Sequence, residues 1–203
     1  MLLTRLSLAG SLAAGSLALS LAGCATLGQI GALQNVDFAL QGVSNVRLAG
    51  IDLNRVRSFS DLGFGDGARL VAAVANRDLP LELDVLVQAD NPAENYADAR
   101  LVRMDWTFLI EDTETVSGTL AEEFLLRRGE PTIVPIEVGM NLVDFYEGSA
   151  QDLFELAQSL AGVGGSPKEL TVEALPTVET ALGPIRYPSP LRLSTTVGGS
   201  TRE

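Results

Sequence analysis

Few residue types capable of chemistry occur in this sequence. Its 203 residues include no histidine and one cysteine, and 26 acidic side chains outnumber 14 basic ones, for a formal net charge of −12. Without histidine the chain lacks the commonest general base and metal ligand, and every Ser-His-Asp or Cys-His arrangement. The acidic balance argues against a nucleic-acid partner, because phosphates are neutralised by basic faces. A single cysteine forms neither an internal disulfide nor a thiolate zinc site.

The one cysteine, Cys24, ends a segment with the features of a targeting sequence. Arg5 is the only charge before Asp37, and residues 6–21 consist of Leu, Ala, Ser and Gly. The last four residues, Leu21-Ala22-Gly23-Cys24, resemble the lipobox of bacterial lipoproteins. In those proteins the cysteine thiol is diacylated, the preceding peptide bond is cut and the new amine is acylated. An ordinary secretory signal peptide and a buried Ala/Leu helix are the alternative interpretations.

We therefore expect residues 1–23 to be a cleaved signal peptide and residues 24–35 to be a lipidated tether. The expected modification is a diacylglycerol and an N-acyl lipid on Cys24, with no other cofactor and no metal. The acyl chains of these lipids anchor a protein stably, because each buried methylene contributes about 0.8 kcal/mol. Ala25 follows the cysteine in place of aspartate, which favours the outer membrane in the sorting rule of well-studied Gram-negative lipoproteins. The expected location is the bacterial cell envelope, on the outer membrane facing the periplasm.

Cleavage would also change the charge of the protein. Loss of Arg5 leaves 13 basic and 26 acidic side chains, a formal charge of −13 once the new amine is acylated. Such a domain is expected to be repelled by anionic lipid surfaces and to be held near the membrane by its anchor.

The segment at residues 61–67 combines three glycines with two aspartates. Its spacing differs from the G-x-G-x-x-G phosphate loop, no lysine follows, and the carboxylates of Asp61 and Asp66 would repel phosphate. Calcium is a better chemical match, but two carboxylates fall short of the oxygen ligands that calcium takes. A flexible loop between strands is the preferred interpretation.

The remaining charged candidates also favour structural roles. A Ser-Lys nucleophile would need Lys168, the only lysine, which we interpret as a solvated turn residue. The doublets Glu111-Asp112 and Glu122-Glu123 are expected to solubilise turns and edges, although a glycosidase pair stays open because such pairs meet only in three dimensions. The basic doublet Arg127-Arg128 is expected at a solvated strand end. No residue is assigned a catalytic role, and the protein is expected not to be an enzyme.

Alternation at period two dominates the chain from about residue 36 onward and predicts half-buried strands. Residues 81–89 are apolar at odd positions, and residues 101–111 are apolar at even positions from Val102 to Ile110, including Trp106 and Phe108. Residues 115–120 are expected to return as a hairpin partner. Weaker strands are predicted at 46–56, with a bulge around Gly50, and at 69–75, 133–138, 169–174 and 185–193, the last at a sheet edge because of its prolines.

One segment departs from this alternation and predicts a helix. Ser149 and Asp152 have the spacing of a capping box, and Leu153, Leu156, Ala157 and Leu160 follow at helical intervals. A cap over the open end of the β-structure is the simpler role for this helix, and a lid over an apolar cleft is the alternative.

The predicted fold is mainly β: an antiparallel β-sandwich of about seven strands, fibronectin-III- or immunoglobulin-like, with one helical insert near residues 141–161. The domain is expected to span residues 36–197, followed by a flexible tail at residues 198–203.

Two short motifs carry a resemblance to a known family. Asn91-Pro92 ends an alternating strand, and Leu182-Gly183 precedes the closing strand, after the helical insert. In this order the chain resembles the group 2 late embryogenesis abundant (LEA type 2) proteins, also called the WHy (water stress and hypersensitive response) domain, over roughly residues 43–196. The resemblance implies a β-sandwich with one helix, structural roles for these four residues, and no catalytic residues. Plant members of the family are associated with desiccation and other stress.

Together these features predict a non-enzymatic, lipid-anchored envelope protein with a stress-protective or interaction role. The alternative is a periplasmic carrier or binding module for a lipid or other apolar ligand. The expected partners are the membrane, through the anchor, and an apolar ligand or envelope protein.

Overall fold

The computed structural model describes residues 36–95, 97–180 and 183–199. In chain order the strands are β1 (Asp37–Leu48), β2 (Ile51–Asp52), β3 (Pro80–Asp90), β4 (Ala99–Ile110), β5 (Thr113–Leu120), β6 (Phe124–Leu126), β7 (Pro131–Asn141), β8 (Lys168–Thr180), β9 (Gly183–Arg186) and β10 (Leu191–Val197). The α-helices are α1 (Phe64–Ala75), between β2 and β3, and α2 (Ala150–Leu160), between β7 and β8. The predicted signal peptide and tether lie outside the described residues.

Two antiparallel sheets pack face to face. The first has the order β2-β1-β3-β7. The second has the order β10-β8-β4-β5, and its two edges are extended by β9, which pairs with β8, and by β6, which pairs with β4. β1 lies against β10 on one side of the sandwich, and β7 lies against β5 and β6 on the other. The predicted mainly β sandwich is confirmed, with ten strands and two α-helices in the described part of the chain.

The alternation in β3 and β4 places the core. Every odd position from Leu81 to Ala89 is buried, as predicted. In β4 the even positions are buried from Met104 onward, but Leu101 is buried where Val102 was expected. The phase changes because the pairing of β4 with β8 is irregular between Leu101 and Arg103. Trp106 and Phe108 lie in the core as predicted.

The strand predicted at residues 69–75 is wrong, because these residues form most of α1. The helix begins at Phe64, so the loop predicted at residues 61–67 contains its first turn. Leu70 is buried and Val74 is half-buried one turn later. Four of its twelve residues are alanine, the strongest helix former. The run at residues 69–75 is apolar on both faces, and such a run fits a helix as well as it fits a buried strand.

Two smaller predictions are also corrected. Ala49 and Gly50 form a two-residue turn between β1 and β2, with φ of 48° and 77°, and the irregular register lies earlier in β1. The turn replaces the predicted bulge because both residues adopt the left-handed conformation that such hairpin turns require. The strand predicted at residues 185–193 is two strands, β9 and β10, because Pro188 and Pro190 interrupt pairing along β8. Both strands lie at the sheet edge, as predicted.

The helical insert is confirmed. A short 3-10 helix, Leu142–Asp144, precedes α2. The Ser149 hydroxyl accepts a hydrogen bond from the Asp152 N–H, and the Asp152 carboxylate accepts one from the Ser149 N–H at 2.9 Å. This reciprocal pair is the predicted capping box.

We expect Ser149→Ala to lower the free energy of unfolding by about 1 kcal/mol, the usual effect of losing an N-cap side chain. Hydrogen bonds from the Ser149 hydroxyl and backbone lower the pKa of the Asp152 carboxyl. A lowered folded-state pKa stabilises the protein above the unfolded pKa, and this stabilisation is lost as the pH falls through the folded pKa. Urea titrations at pH 7 and pH 3 should therefore show a smaller difference between the two proteins at the lower pH. An equal difference at both pH values would contradict this role for Asp152.

Candidate functional site

The first family-motif residue, Asn91, is the centre of a buried polar network just after β3. Its side chain is 1% exposed. Its Nδ2 donates to the carbonyl oxygens of Leu126, at 2.8 Å, and Ala97, at 3.2 Å, while its Oδ1 accepts from Asn95 Nδ2. The Asn91 carbonyl accepts from the Gly129 N–H at 2.7 Å. One amide thus connects the end of β3, the 91–98 loop and β6, and we name this set the Asn91 network.

The neighbours of Asn91 close this loop. The Pro92 carbonyl accepts the Asn95 N–H at 3.1 Å, which forms a turn directly after the strand. Arg128 donates to the Asn95 carbonyl at 3.1 Å, and its backbone N–H donates to Asp98. The exposed doublet Arg127-Arg128 therefore includes one loop-bracing residue, and both arginines follow strand β6 as predicted.

The other motif residues are only partly described. Gly183 begins β9 with a φ of 99°, a left-handed conformation that favours glycine. Leu182 and the lipidation candidate Cys24 lie outside the described residues.

The apolar stripe of α2 is buried against the open end of the sandwich. Leu153, Phe154, Ala157 and Leu160 are all buried, and the Phe154 ring meets the Phe59 ring edge-on at 5.6 Å. Gln158 Nε2 donates to the Val56 carbonyl at 3.1 Å. These contacts fit the cap interpretation of the helix, since its apolar side chains are consumed by the protein core.

The outer face of the second sheet carries ion pairs between strands. Asp105 accepts from Arg103, Thr119 and Arg186, at 2.7 to 3.0 Å. The Thr119 hydroxyl, followed by Arg103, lowers the pKa of the Asp105 carboxyl. Arg192 joins Glu173, at 2.9 Å, to Asp112. The lowered pKa keeps the Asp105 carboxylate ionised, which suits cross-strand stabilisation and not proton transfer.

Lys168 and the Glu111-Asp112 doublet belong to the same charged surface. Lys168 Nζ lies 2.8 Å from a Glu111 carboxylate oxygen. Glu111 and Asp112 are the two residues of the β4–β5 turn, and each contacts a different cation. The nearby Tyr146 hydroxyl donates to the Ile110 carbonyl at 3.0 Å, and burial chiefly raises its pKa. Lys168 is therefore engaged with a carboxylate at the start of β8.

Two open grooves bring several further acidic residues together. A groove of about 580 Å³ on the outer face of the first sheet is lined by Glu82, Asp84 and Glu137. A second, of about 360 Å³ beside Trp106, is lined by Glu122, Asp84 and Glu137. Glu123 pairs instead with Arg100 at 3.1 Å. Glu122 therefore lines a groove, whereas Glu123 forms an ion pair.

Asp61 and Asp66 are the two carboxylates of the glycine-rich segment at residues 61–67. Asp66 lies in the first turn of α1 and pairs with Arg69 at 2.9 Å. Across the described ranges, no group of three or more His, Cys, Asp or Glu side chains is arranged to hold a metal ion. Within the same residues, neither helix is long and apolar enough to span a bilayer.

Comparison with known proteins gives similarities of fold. No protein-family model matches the sequence, and no curated protein matches it. Among solved structures, one described as a late embryogenesis abundant (LEA) protein is 11% identical, with a TM-score of 0.39, over 87% of this chain and 79% of that one. A protein described by the family name that the sequence resemblance suggested is thus among the structural neighbours.

Two further neighbours have similar values. A protein from Arabidopsis thaliana is 14% identical over 61% of this chain and 73% of its own, with a TM-score of 0.40. A protein from Archaeoglobus fulgidus is 10% identical over 61% of this chain and 88% of its own, with a TM-score of 0.35. These likenesses concern the fold alone.

Sequence reasoning missed one surface, the outward face of α1. Phe64 and Val71 on this helix are 95% and 56% exposed. Their helical spacing is present in the sequence, but the run was assigned to a loop followed by a strand.

Proposed function

We propose that this protein is a non-enzymatic head domain, anchored to the bacterial cell envelope by a lipid on Cys24, with a stress-protective or interaction role. The observation that carries the proposal is the sequence Leu21-Ala22-Gly23-Cys24, which ends an uncharged apolar segment and contains the only cysteine. The sole thiol is then used for attachment.

The absence of enzyme activity in this proposal has separate support. The described carboxylates Asp105, Glu111 and Asp112 contact cations, as do Glu123 and Glu173. Lys168, the sole amine side chain, contacts Glu111. The Asn91 network and the capping box also satisfy their polar groups internally. This pattern supports a protein that acts by presenting a stable surface.

A lipid carrier, the alternative role, would need an enclosed apolar chamber. The two open grooves described above are lined by charged residues together with apolar ones. The apolar stripe of α2 faces the core. Native mass spectrometry of the Cys24→Ala chain decides between the roles: a stoichiometric bound lipid supports the carrier, and an apo mass supports the presenting surface.

We expect Cys24→Ala to move the protein from the membrane fraction to the soluble fraction or to leave an unprocessed precursor. The replaced side chain is the one that would carry the diacylglycerol. The measurement is fractionation of a Gram-negative host, with electrophoresis to detect processing. Thr26→Ala, two residues beyond the lipobox, is the matched control and should stay in the membrane fraction. Unchanged processing and localisation of Cys24→Ala would refute the anchor.

The stress role is tested in the same host by deletion and complementation. Cells lacking the protein should survive drying or osmotic shock less well, and the wild-type chain should restore survival more fully than Cys24→Ala. Equal survival of all strains under both conditions would remove the stress role and leave an interaction role.

A further inference from the structure

The outward face of α1 is apolar. Phe64, Ala68, Val71, Ala72 and Ala75 are all exposed. Their spacing of four, three, one and three residues places them within an arc of about 100° on one side of the helix. Phe64 is 95% exposed and Val71 is 56% exposed. These five residues are named the α1 face.

The opposite side of α1 is also apolar, because Leu70 and Val74 pack against the domain. The charged pair Asp66–Arg69 lies at the flank of the helix. A helix that is apolar on both sides is normally covered on both sides. In the part of the chain that the structure describes, the α1 face is open to solvent. We therefore expect a partner outside these residues to cover it.

Charge distinguishes this region from the rest of the protein. Residues 51–78 contain four arginines and four aspartates, whereas residues 79–199 contain twenty acidic and seven basic side chains. The α1 region is therefore neutral within a strongly acidic protein. It can approach lipid headgroups without the repulsion that acts on the sandwich. Arg55 and Arg69, with largely exposed side chains, can extend their guanidinium groups towards lipid phosphates.

The size of the α1 face argues against a second copy of the chain as its partner. A helix of twelve residues is about 18 Å long and about 10 Å wide, so this face offers on the order of 200 Å². A stable protein interface buries about 800 Å² on each partner. A small apolar patch is sufficient, however, as a second membrane contact for a protein that is already anchored.

The length of the chain before the domain permits this contact. β1 begins at the end of the sandwich where Asp37 pairs with Asp90, and α1 precedes Pro80 at the opposite end. The twelve residues from Cys24 to Asn35 span at most about 40 Å when extended. A twelve-residue strand such as β1 is about 40 Å long. The tether is therefore as long as the sandwich, and α1 can reach the membrane that holds the anchor.

We propose that the α1 face docks into the surface of that membrane, with Phe64 and Val71 at the boundary between headgroups and acyl chains. This inference rests on the proposed lipid anchor. It assigns α1 a second membrane contact in addition to the lipid anchor. A surface of zwitterionic lipids, which carry no net charge, suits a neutral helix on an acidic domain.

The test places a tryptophan in the α1 face. The lipidated Phe64→Trp chain is reconstituted by its anchor into phosphatidylcholine vesicles with brominated acyl chains, which quench indole emission at the membrane. We expect emission of the introduced indole to fall by about half or more. The matched control is Ile133→Trp, at a position 46% exposed on the first sheet, and its emission should stay nearly constant. Trp106, which is buried in the core, is present in both variants.

The outcomes separate docking from anchoring, because flotation with the vesicles reports the anchor alone. Flotation without selective quenching of Phe64→Trp would overturn the docking and leave the anchor standing. If the protein does not float with the vesicles, the anchor proposal fails. Docking is then measured by adding the same two variants to preformed vesicles. Selective quenching of Phe64→Trp supports docking, and its absence overturns docking. A blue-shifted Phe64→Trp indole without vesicles would also overturn docking. It would indicate a second copy if concentration-dependent, and a segment of the same chain otherwise.

A second variant measures the contribution of Phe64. In a Cys24→Ala chain freed of residues 1–23, Phe64→Ser should weaken partitioning into phosphatidylcholine vesicles about tenfold, as expected for loss of one buried phenyl ring. Ile133→Ser should leave partitioning unchanged. Equal partitioning of both variants and the parent would contradict the proposal.

Discussion

Replacement of Asn91 by alanine is expected to lower the free energy of unfolding by about 3 kcal/mol, because several buried polar groups lose their partners together. The carbonyls of Leu126 and Ala97 and the amide of Asn95 all bond to the Asn91 side chain. Alanine offers none of these bonds, and at 1% exposure water cannot simply replace them. The measurement is urea unfolding of the purified Cys24→Ala chain with and without Asn91→Ala.

Asn54→Ala is the matched control for this prediction. Asn54 is exposed, and its side chain makes a hydrogen bond to Asp52 at 3.3 Å. Its replacement should change the free energy of unfolding by less than about 0.5 kcal/mol. Similar effects of the two substitutions would show that the Asn91 network does not hold the 91–98 loop to β6.

Phe154→Ala is expected to destabilise the protein by about 4 kcal/mol, the usual range for emptying a buried aromatic position. Phe154, a residue of α2, is fully buried, and its ring contacts the Phe59 ring edge-on. Leu156→Ala, at a half-buried position of the same helix, should have a smaller effect, about 1 kcal/mol. Urea unfolding followed by circular dichroism measures both changes.

This pair of variants also separates a cap from a lid. A cap belongs to the folding unit, so Phe154→Ala should weaken the cooperative unfolding of the whole domain. A detachable lid would instead release α2 alone and leave the transition of the strands in place. Hydrogen exchange of the β8 amides reads this directly, because their protection falls in the first case and stays constant in the second.

The parts of the fold that the sequence predicted well are those where one physical signal acts alone. The odd positions of residues 81–89 face the core because successive side chains of a strand point to opposite faces of its sheet, and one face of this sheet is packed. The capping box at Ser149 and Asp152 depends on local geometry, which the spacing of the two residues determines. Neither feature needs knowledge of distant contacts.

The errors occurred where tertiary contacts select between equal local signals. Residues 69–75 are apolar on both faces, a pattern shared by buried strands and buried helices. Packing of Leu70 and Val74 against the domain selects the helix. In β4 a local irregularity against β8 exchanges the positions of Leu101 and Val102. Such an irregularity depends on the partner strand and has no signature within β4 itself.

The functional features divide in the same way. The Asn91-Pro92 motif identified Asn91 in the sequence. The three groups that bond to the Asn91 side chain belong to residues 95, 97 and 126, and only the three-dimensional structure shows them together. The α1 face was missed because its importance depends on exposure, which composition does not report. The lipidation motif differs, because its four residues predict the expected modification from the sequence alone.

The intact mass of the protein extracted from bacterial envelopes tests the lipid-anchored head domain most directly. We expect a polypeptide that begins at Cys24 and carries a diacylglyceryl group and an N-acyl group, both lost in the Cys24→Ala variant. A chain that retains residues 1–23, or that begins at Cys24 with an unmodified thiol, would contradict this expectation.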